Sequence, residues 1–198
     1  MNRTYHCKKY TDGTKNPLVN ALLNRFMQKV KGCIEDFVPQ SVLDVGCGDG
    51  SALHYLSDAI PQDYLGIDMD EDALALCRVR HPFRCFQSGN IFALPMEDGS
   101  HHIALCLEVL EHLEDPECAV RELLRVVDRG LVLSVPWEPW FQLGNLARGK
   151  HIFALGNHPE HIHHWTPSSF GRFLHEIDPS ARIKFHNAWP WIIASMAK

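Results

Sequence analysis

The 198-residue chain predicts a doubly wound α/β domain, a mostly parallel sheet with helices on both faces. Short apolar runs alternate with stretches of helical periodicity along most of its length. A glycine-rich turn, Gly46-Cys47-Gly48-Asp49-Gly50, stands between the first such run and a helix. Residues 103–107 are apolar at nearly every position, the pattern of a strand covered on both faces.

The residues through Lys15 are polar and turn-rich. Asn16-Pro17 then offers a cap and a first-turn proline to a helix with Leu18, Leu22 and Phe26 on one face. Ser41–Val45 reads as the first strand, followed by the glycines and a helical stretch through Leu56. The second strand is 64–67. Asp70 caps a helix carrying Ala73, Leu76 and Cys77, residues 83–86 form the third strand, and 103–107 form the fourth. Asp115-Pro116 opens a helix with Val120, Leu124 and Val127 at helical spacing, which Gly130 turns into a strand over 131–135. After Pro136 the pattern loosens over 137–166, long for a plain connection and typical of a functional lid. Thr166-Pro167 caps a helix bearing Phe170, Phe173 and Leu174, and 181–185 with 191–195 can close the sheet as an antiparallel pair.

Length and a 45% apolar content suit one domain over 1–198, with 1–30 as an N-terminal cap and helix and 137–166 as a loop-rich lid over the acceptor. The net charge of -5 provides no basic footprint for a phosphate backbone or an anionic leaflet, which disfavours nucleic acid and favours a small-molecule substrate. No stretch approaches the roughly 20 apolar residues that span a bilayer, and no leading apolar segment of signal-peptide type is present. The 7 cysteines, an odd number without close pair spacing, read as free thiols of a reducing compartment. The expectation is a cytoplasmic protein, monomer or homodimer, with no membrane partner.

Asp44-Val45-Gly46-Cys47-Gly48-Asp49-Gly50 carries the strongest signal. Glycines there let the backbone turn sharply and approach a ligand. A dinucleotide site normally reads Gly-x-Gly-x-x-Gly without a leading acid; here Ser51 holds the third glycine position and Asp44 leads. An acid suits a ligand whose polar head bears an ammonium group, as S-adenosylmethionine does. The segment resembles motif I of the class I S-adenosylmethionine-dependent methyltransferases, of the methyltransferase type 11-like domains, and the resemblance runs over residues 10–198.

That resemblance implies a Rossmann-like seven-stranded sheet whose last strand is antiparallel, with the cofactor at the carboxyl ends of the first strands. It implies that Asp44, Gly46, Cys47, Gly48 and Leu107 border the cofactor. Asp68, roughly twenty residues past the glycines, would accept both ribose hydroxyls. Met69 would pack on adenine, and Asn90 and Ile91 would meet its polar edge, Asn90 standing where family members often have Asp. The stretch 10–16 resembles the segment that folds over the cofactor in related enzymes.

Methyl transfer is an in-line displacement, so the enzyme must align a nucleophile and, for a hydroxyl, remove its proton. Leu107-Glu108-Val109-Leu110-Glu111-His112 leaves the fourth strand with two carboxylates and an imidazole, which share a face if the segment turns helically. His158, His161, His163 and His164 follow downstream, and carboxylates with imidazoles make a reasonable divalent-cation set. Glu-x-x-Glu-His with a histidine four residues before Trp165 resembles the metal site of small-RNA 3′-terminal 2′-O-methyltransferases, and ubiquinone-pathway O-methyltransferases show a similar Glu-x-x-Glu-His. The resemblance implies Glu108, Glu111, His112 and His161 as ligands of a divalent cation, His112, Glu111 and His161 as catalytic residues, and oxygen as the acceptor atom.

The residues leave other readings open: a cap role for Glu111 and His112, N-methylation without metal, RNA 2′-O-methylation, and cofactor binding without catalysis. His151 and its downstream neighbours can equally line an acceptor pocket. Trp137, Pro139, Trp140 and Phe141 add an aromatic surface for a planar or sugar-like acceptor.

Overall fold

The structure is a computed structural model and describes residues 16–138, 140 and 161–198. Asn16 accepts from Leu18 N at 2.9 Å and starts helix α1 (Pro17–Phe37), as its cap chemistry predicts. The buried stripe of α1 is Leu23, Phe26, Met27, Val30, Cys33 and Ile34. Of the expected face, Phe26 is buried and Leu22 packs against the same core, but Leu18 is 66% exposed, because the stripe that meets the sheet starts one turn later.

Strand β1 (Ser41–Val45), helix α2 (Ser51–Leu56), strand β2 (Asp63–Asp68), helix α3 (Glu71–Arg80), and strands β3 (Cys85–Ser88) and β4 (His101–Leu107) follow in turn. Next come helix α4 (Pro116–Val126), strand β5 (Val127–Pro136), helix α5 (Pro167–Ile177), and strands β6 (Arg182–Ala188) and β7 (Trp191–Ala197). They build a seven-stranded sheet in the order β3-β2-β1-β4-β5-β7-β6. β7 runs antiparallel to both β5 and β6, and the pairs from β3 through β5 are parallel, the mixed doubly wound sheet that the resemblance implies. The order reverses between β1 and β4, so their carboxyl ends open a crevice.

Alternation along the strands divides the core. Val42, Ile103, Leu105, Val132 and Ile193 pack with α1 and α2 on one face. Leu43, Val45, Ala104, Cys106, Leu133 and Val135 pack with α4 and α5 on the other. A layer on each side explains why all five residues of β1 are buried.

Three local expectations are corrected. β3 begins at Cys85, where pairing to Leu65 starts, while Phe83 is 87% exposed in the preceding turn. α3 buries Ala73, Leu74 and Cys77 and leaves Leu76 45% exposed. β5 begins at Val127 directly after α4, and Gly130 lies inside it. A Cβ at Gly130 would stand 2.3 Å from Met196 O and 2.8 Å from the Phe37 ring, so this glycine answers crowding and makes no turn.

Thr166 and Ser169 form a reciprocal capping box at α5. Among the described residues, no helix is long and apolar enough to cross a membrane. The expected cap over 10–15, most of the lid, and Pro139, Phe141, His151 and His158 lie outside the described residues.

Candidate functional site

The turn after β1 is built on three glycines with left-handed backbones: Gly46 (φ 81°), Gly48 (φ 57°) and Gly50 (φ 75°). Gly46 N and Cys47 N both donate to Ile67 O, at 2.7 and 3.1 Å, which ties the turn to β2. Buried Asp49 accepts from Ser51 N at 3.1 Å and from the Ser51 hydroxyl, and pairs with the Arg80 guanidinium. Gly48 N donates to Asp68 Oδ2 at 2.8 Å and Asp70 N to Asp68 Oδ1 at 2.9 Å. The Asp68 carboxylate is thereby oriented at the end of β2, and each oxygen keeps a lone pair for a further donor.

A cleft of about 300 Å³ opens over this turn at the carboxyl ends of β1, β2 and β4. Every residue that the sequence marks for the cofactor lines it: Asp44, Gly46, Cys47, Gly48, Asp68, Met69, Asn90, Ile91 and Leu107. Met69 is 71% exposed on the rim. Asn90 Oδ1 accepts from Phe92 N at 3.0 Å, which holds the amide in place. Phe26 and Met27 of α1 also line the cleft. Sequence reasoning missed them, because the amphipathic stripe of α1 does not say which part of the sheet it covers.

Asp44 is 3% exposed and accepts from the Tyr64 hydroxyl at 2.8 Å. Burial pushes its carboxyl up to about 6, Asp68 adds to the rise, and the Tyr64 hydrogen bond opposes it. A cation in the cleft would favour the ionised form.

Beyond β4 the chain carries the acidic and imidazole groups. Glu108 adopts a left-handed backbone (φ 58°). Its N–H donates to Ser134 Oγ, and Ser134 Oγ donates to Glu108 Oε1 at 2.9 Å. The following 3₁₀ turn, Leu110–His112, buries Glu111 to 1% exposure.

Residues 161–165 cross this turn. Ile162 N and His163 N donate to Glu111 O at 2.8 and 3.2 Å, while Glu138 N donates to Trp165 O at 2.9 Å. These bonds bring His161 to His112, with ring centroids 5.0 Å apart. Ligand-capable atoms of Glu111, His112 and His161 all lie within 4.8 Å of one another. Glu108, bonded to Ser134, stands outside that group among the described residues. His163 Nε2 bonds to Leu113 O at 3.0 Å and its ring stacks on Trp165, and His164 is exposed.

Glu138 joins this neighbourhood unannounced by any motif. It is 5% exposed, and its Oε1 stands 3.7 Å from His161 Nδ1. Of the expected aromatic surface, Trp140 is 44% exposed and meets Trp189 edge-on, whereas Trp137 is partly buried and packs against the core.

A family described as "Methyltransferase domain" matches residues 43–135. The ubiquinone biosynthesis O-methyltransferase of Bordetella avium is 33% identical over 173 residues, covering 82% of this chain and 65% of that protein. The chain spans between 36% and 65% of the length of this and two further curated relatives. Among solved structures, the magnesium protoporphyrin IX methyltransferase of Synechocystis PCC 6803 with bound S-adenosylhomocysteine superposes with a TM-score of 0.69 at 20% identity, over 96% of this chain and 90% of that one. The plantazolicin methyltransferase BpumL, also with S-adenosylhomocysteine, gives 0.75 at 17% identity over 90% of this chain and 85% of that one. At these identities the structural likeness speaks for the fold alone.

Proposed function

We propose that the chain is a class I S-adenosylmethionine-dependent methyltransferase that transfers a methyl group from S-adenosylmethionine to a hydroxyl oxygen of a small molecule, with a divalent cation held by Glu111, His112 and His161. One observation carries this reading: a single cleft runs from Asp44 and Asp68 to His112, joining the cofactor end to the acid and imidazole end.

The residues fit the cofactor. Asp44 is a buried carboxylate that the cofactor's ammonium group would stabilise, and Asp68 has two oriented oxygens for the ribose hydroxyls. Met69 offers an apolar, polarisable surface to the adenine ring, while the Asn90 amide supplies polar contacts at its edge. Glu111, His112 and His161 fit a cation with mixed oxygen and nitrogen ligands. Glu108 would have to leave Ser134 to join them. When bound, the cation would lower the pKa of a chelated acceptor hydroxyl.

The test combines binding with transfer. Labelled methyl from S-adenosylmethionine is expected in the small-molecule fraction of an extract; label confined to RNA would favour the RNA-modifying reading instead. Asp68→Ala is expected to weaken S-adenosylhomocysteine binding by about tenfold to 150-fold, ~1.5–3 kcal/mol for a charge-assisted acceptor, measured by calorimetry. An unchanged dissociation constant removes Asp68 from the site.

A pH dependence follows from Asp44. Its carboxyl rises from 3.8 to about 6 in the ligand-free fold, so its contribution to stability is present below pH 4 and is lost as pH rises through 6. The ligand acts in the opposite sense, because its ammonium group prefers the ionised carboxylate. S-adenosylhomocysteine affinity should therefore fall as pH drops below 6, by up to about tenfold per unit. Calorimetry at pH 7.5 and pH 5 checks this, and Asp44→Asn should bind more weakly with a flatter profile. Equal affinity of the wild type at both pH values contradicts the ammonium contact.

A further inference from the structure

We propose that Glu138 is a positioning residue for His161 and the second buried carboxyl side chain beside the Glu111, His112 and His161 group, an inference that rests on the cation reading above. The side chains of His161 and Glu138 are 5% and 6% exposed, and Nδ1 and Oε1 stand 3.7 Å apart, within ion-pair range. At the other side of the group the same separation recurs, 3.7 Å between His112 Nε2 and Glu111 Oε1. With the two rings 5.0 Å apart, each imidazole has a carboxylate oxygen 3.7 Å from one ring nitrogen.

Backbone hydrogen bonds hold the chain at both Glu138 and His161. Glu138 follows the end of β5, where Trp137 N donates to Pro190 O at 3.0 Å and Glu138 N to Trp165 O at 2.9 Å. His161 begins a segment bonded to Glu111 O through Ile162 N and His163 N. One short stretch of chain is therefore clamped between Glu111 and Glu138, and His161 has little freedom to turn away from His112.

Chemistry points the same way. Two buried carboxylates beside two imidazoles make a mixed oxygen and nitrogen set of the kind a divalent cation takes. A carboxylate set against a ring nitrogen of a ligating histidine fixes the ring and strengthens it as a ligand, and its loss typically costs 10–100-fold in metal affinity.

The experiment titrates Mn²⁺ alone into the full chain, following free Mn²⁺ by electron paramagnetic resonance, with S-adenosylhomocysteine affinity measured in parallel. Glu138→Gln is expected to weaken Mn²⁺ binding on the order of 10–100-fold while the S-adenosylhomocysteine dissociation constant holds. Glu138→Asp keeps the charge but draws it back, and should fall between the two. Unchanged Mn²⁺ affinity in Glu138→Gln, with loss in His112→Ala, overturns the role of Glu138 and leaves the cation reading standing. No Mn²⁺ binding by the wild type overturns both. Loss of S-adenosylhomocysteine binding together with Mn²⁺ binding in both Glu138 variants also overturns the proposal, since Glu138 would then support the fold in general.

Discussion

Gly46→Val is expected to leave no measurable S-adenosylhomocysteine binding and to lower the melting temperature. Two costs act at once. The backbone of Gly46 is left-handed (φ 81°), a conformation that costs a β-branched residue about 1–3 kcal/mol. A Cβ there would stand 2.4 Å from Val109 Cγ2, so the new side chain meets the segment leaving β4 before it reaches the cleft. Overpacking of that kind costs about 1–3 kcal/mol more. The combined ~2–6 kcal/mol corresponds to roughly 5–20 °C in a domain of this size.

The turn cannot shift to relieve the clash without disturbing its own anchors, because Gly46 N and Cys47 N both bond to Ile67 O. Backbone strain and steric clash are separable by experiment. Val109→Ala in a Gly46→Ala background should restore part of the stability, the part owed to contact, and leave the strain. Wild-type affinity in Gly46→Val would show that the turn relaxes freely and that neither cost is real.

The same residue marks how far the sequence carries. A leading acid and glycines at the end of an apolar strand announce a tight ligand-binding turn, and every residue assigned to the cofactor lines one cleft. What the sequence does not announce is that Gly46 is hemmed in by Val109, 63 positions later. Strands were legible where burial on both faces leaves a mostly apolar run, as over 41–45 in β1 and 103–107 in β4. β3 was not, because it is a short, mostly exposed edge strand and the conspicuous Phe83 lies outside it.

Gly130 carried the opposite lesson, a glycine selected by the approach of Met196 O and the Phe37 ring, contacts that no local pattern encodes. In the site, Glu111-His112 was legible as a pair, but Glu138 was not. A lone acid after an apolar strand has no periodicity or spacing, and its partner His161 arrives only because residues 161–165 pair with Trp137 and the Glu111 carbonyl. Likewise, nothing near Glu108 in sequence reveals that Ser134 takes its carboxylate.

Removing divalent cations is expected to suppress turnover on the order of 10²-fold or more without displacing S-adenosylhomocysteine, once an acceptor is in hand. A Lewis acid at a reacting oxygen is worth several kcal/mol, and each 1.4 kcal/mol is a factor of ten. His112→Ala should match the loss seen in EDTA, and EDTA should then have little further effect, because both act on one group. Glu108→Gln separates two ligand sets. If Glu111, His112 and His161 suffice, with their ligand-capable atoms inside 4.8 Å, this variant keeps most of the cation affinity; if Glu108 swings away from Ser134 to complete the set, the variant loses it. Mixed oxygen and nitrogen ligands suit Mn²⁺, Fe²⁺, Co²⁺, Ni²⁺ or Zn²⁺ better than Ca²⁺, so stripped enzyme should recover with one of the former. Full activity in EDTA would end the metal reading. It would return His112, which lines the cleft beside Glu108, to the role of a general base whose proton traffic is set by Glu111 at 3.7 Å.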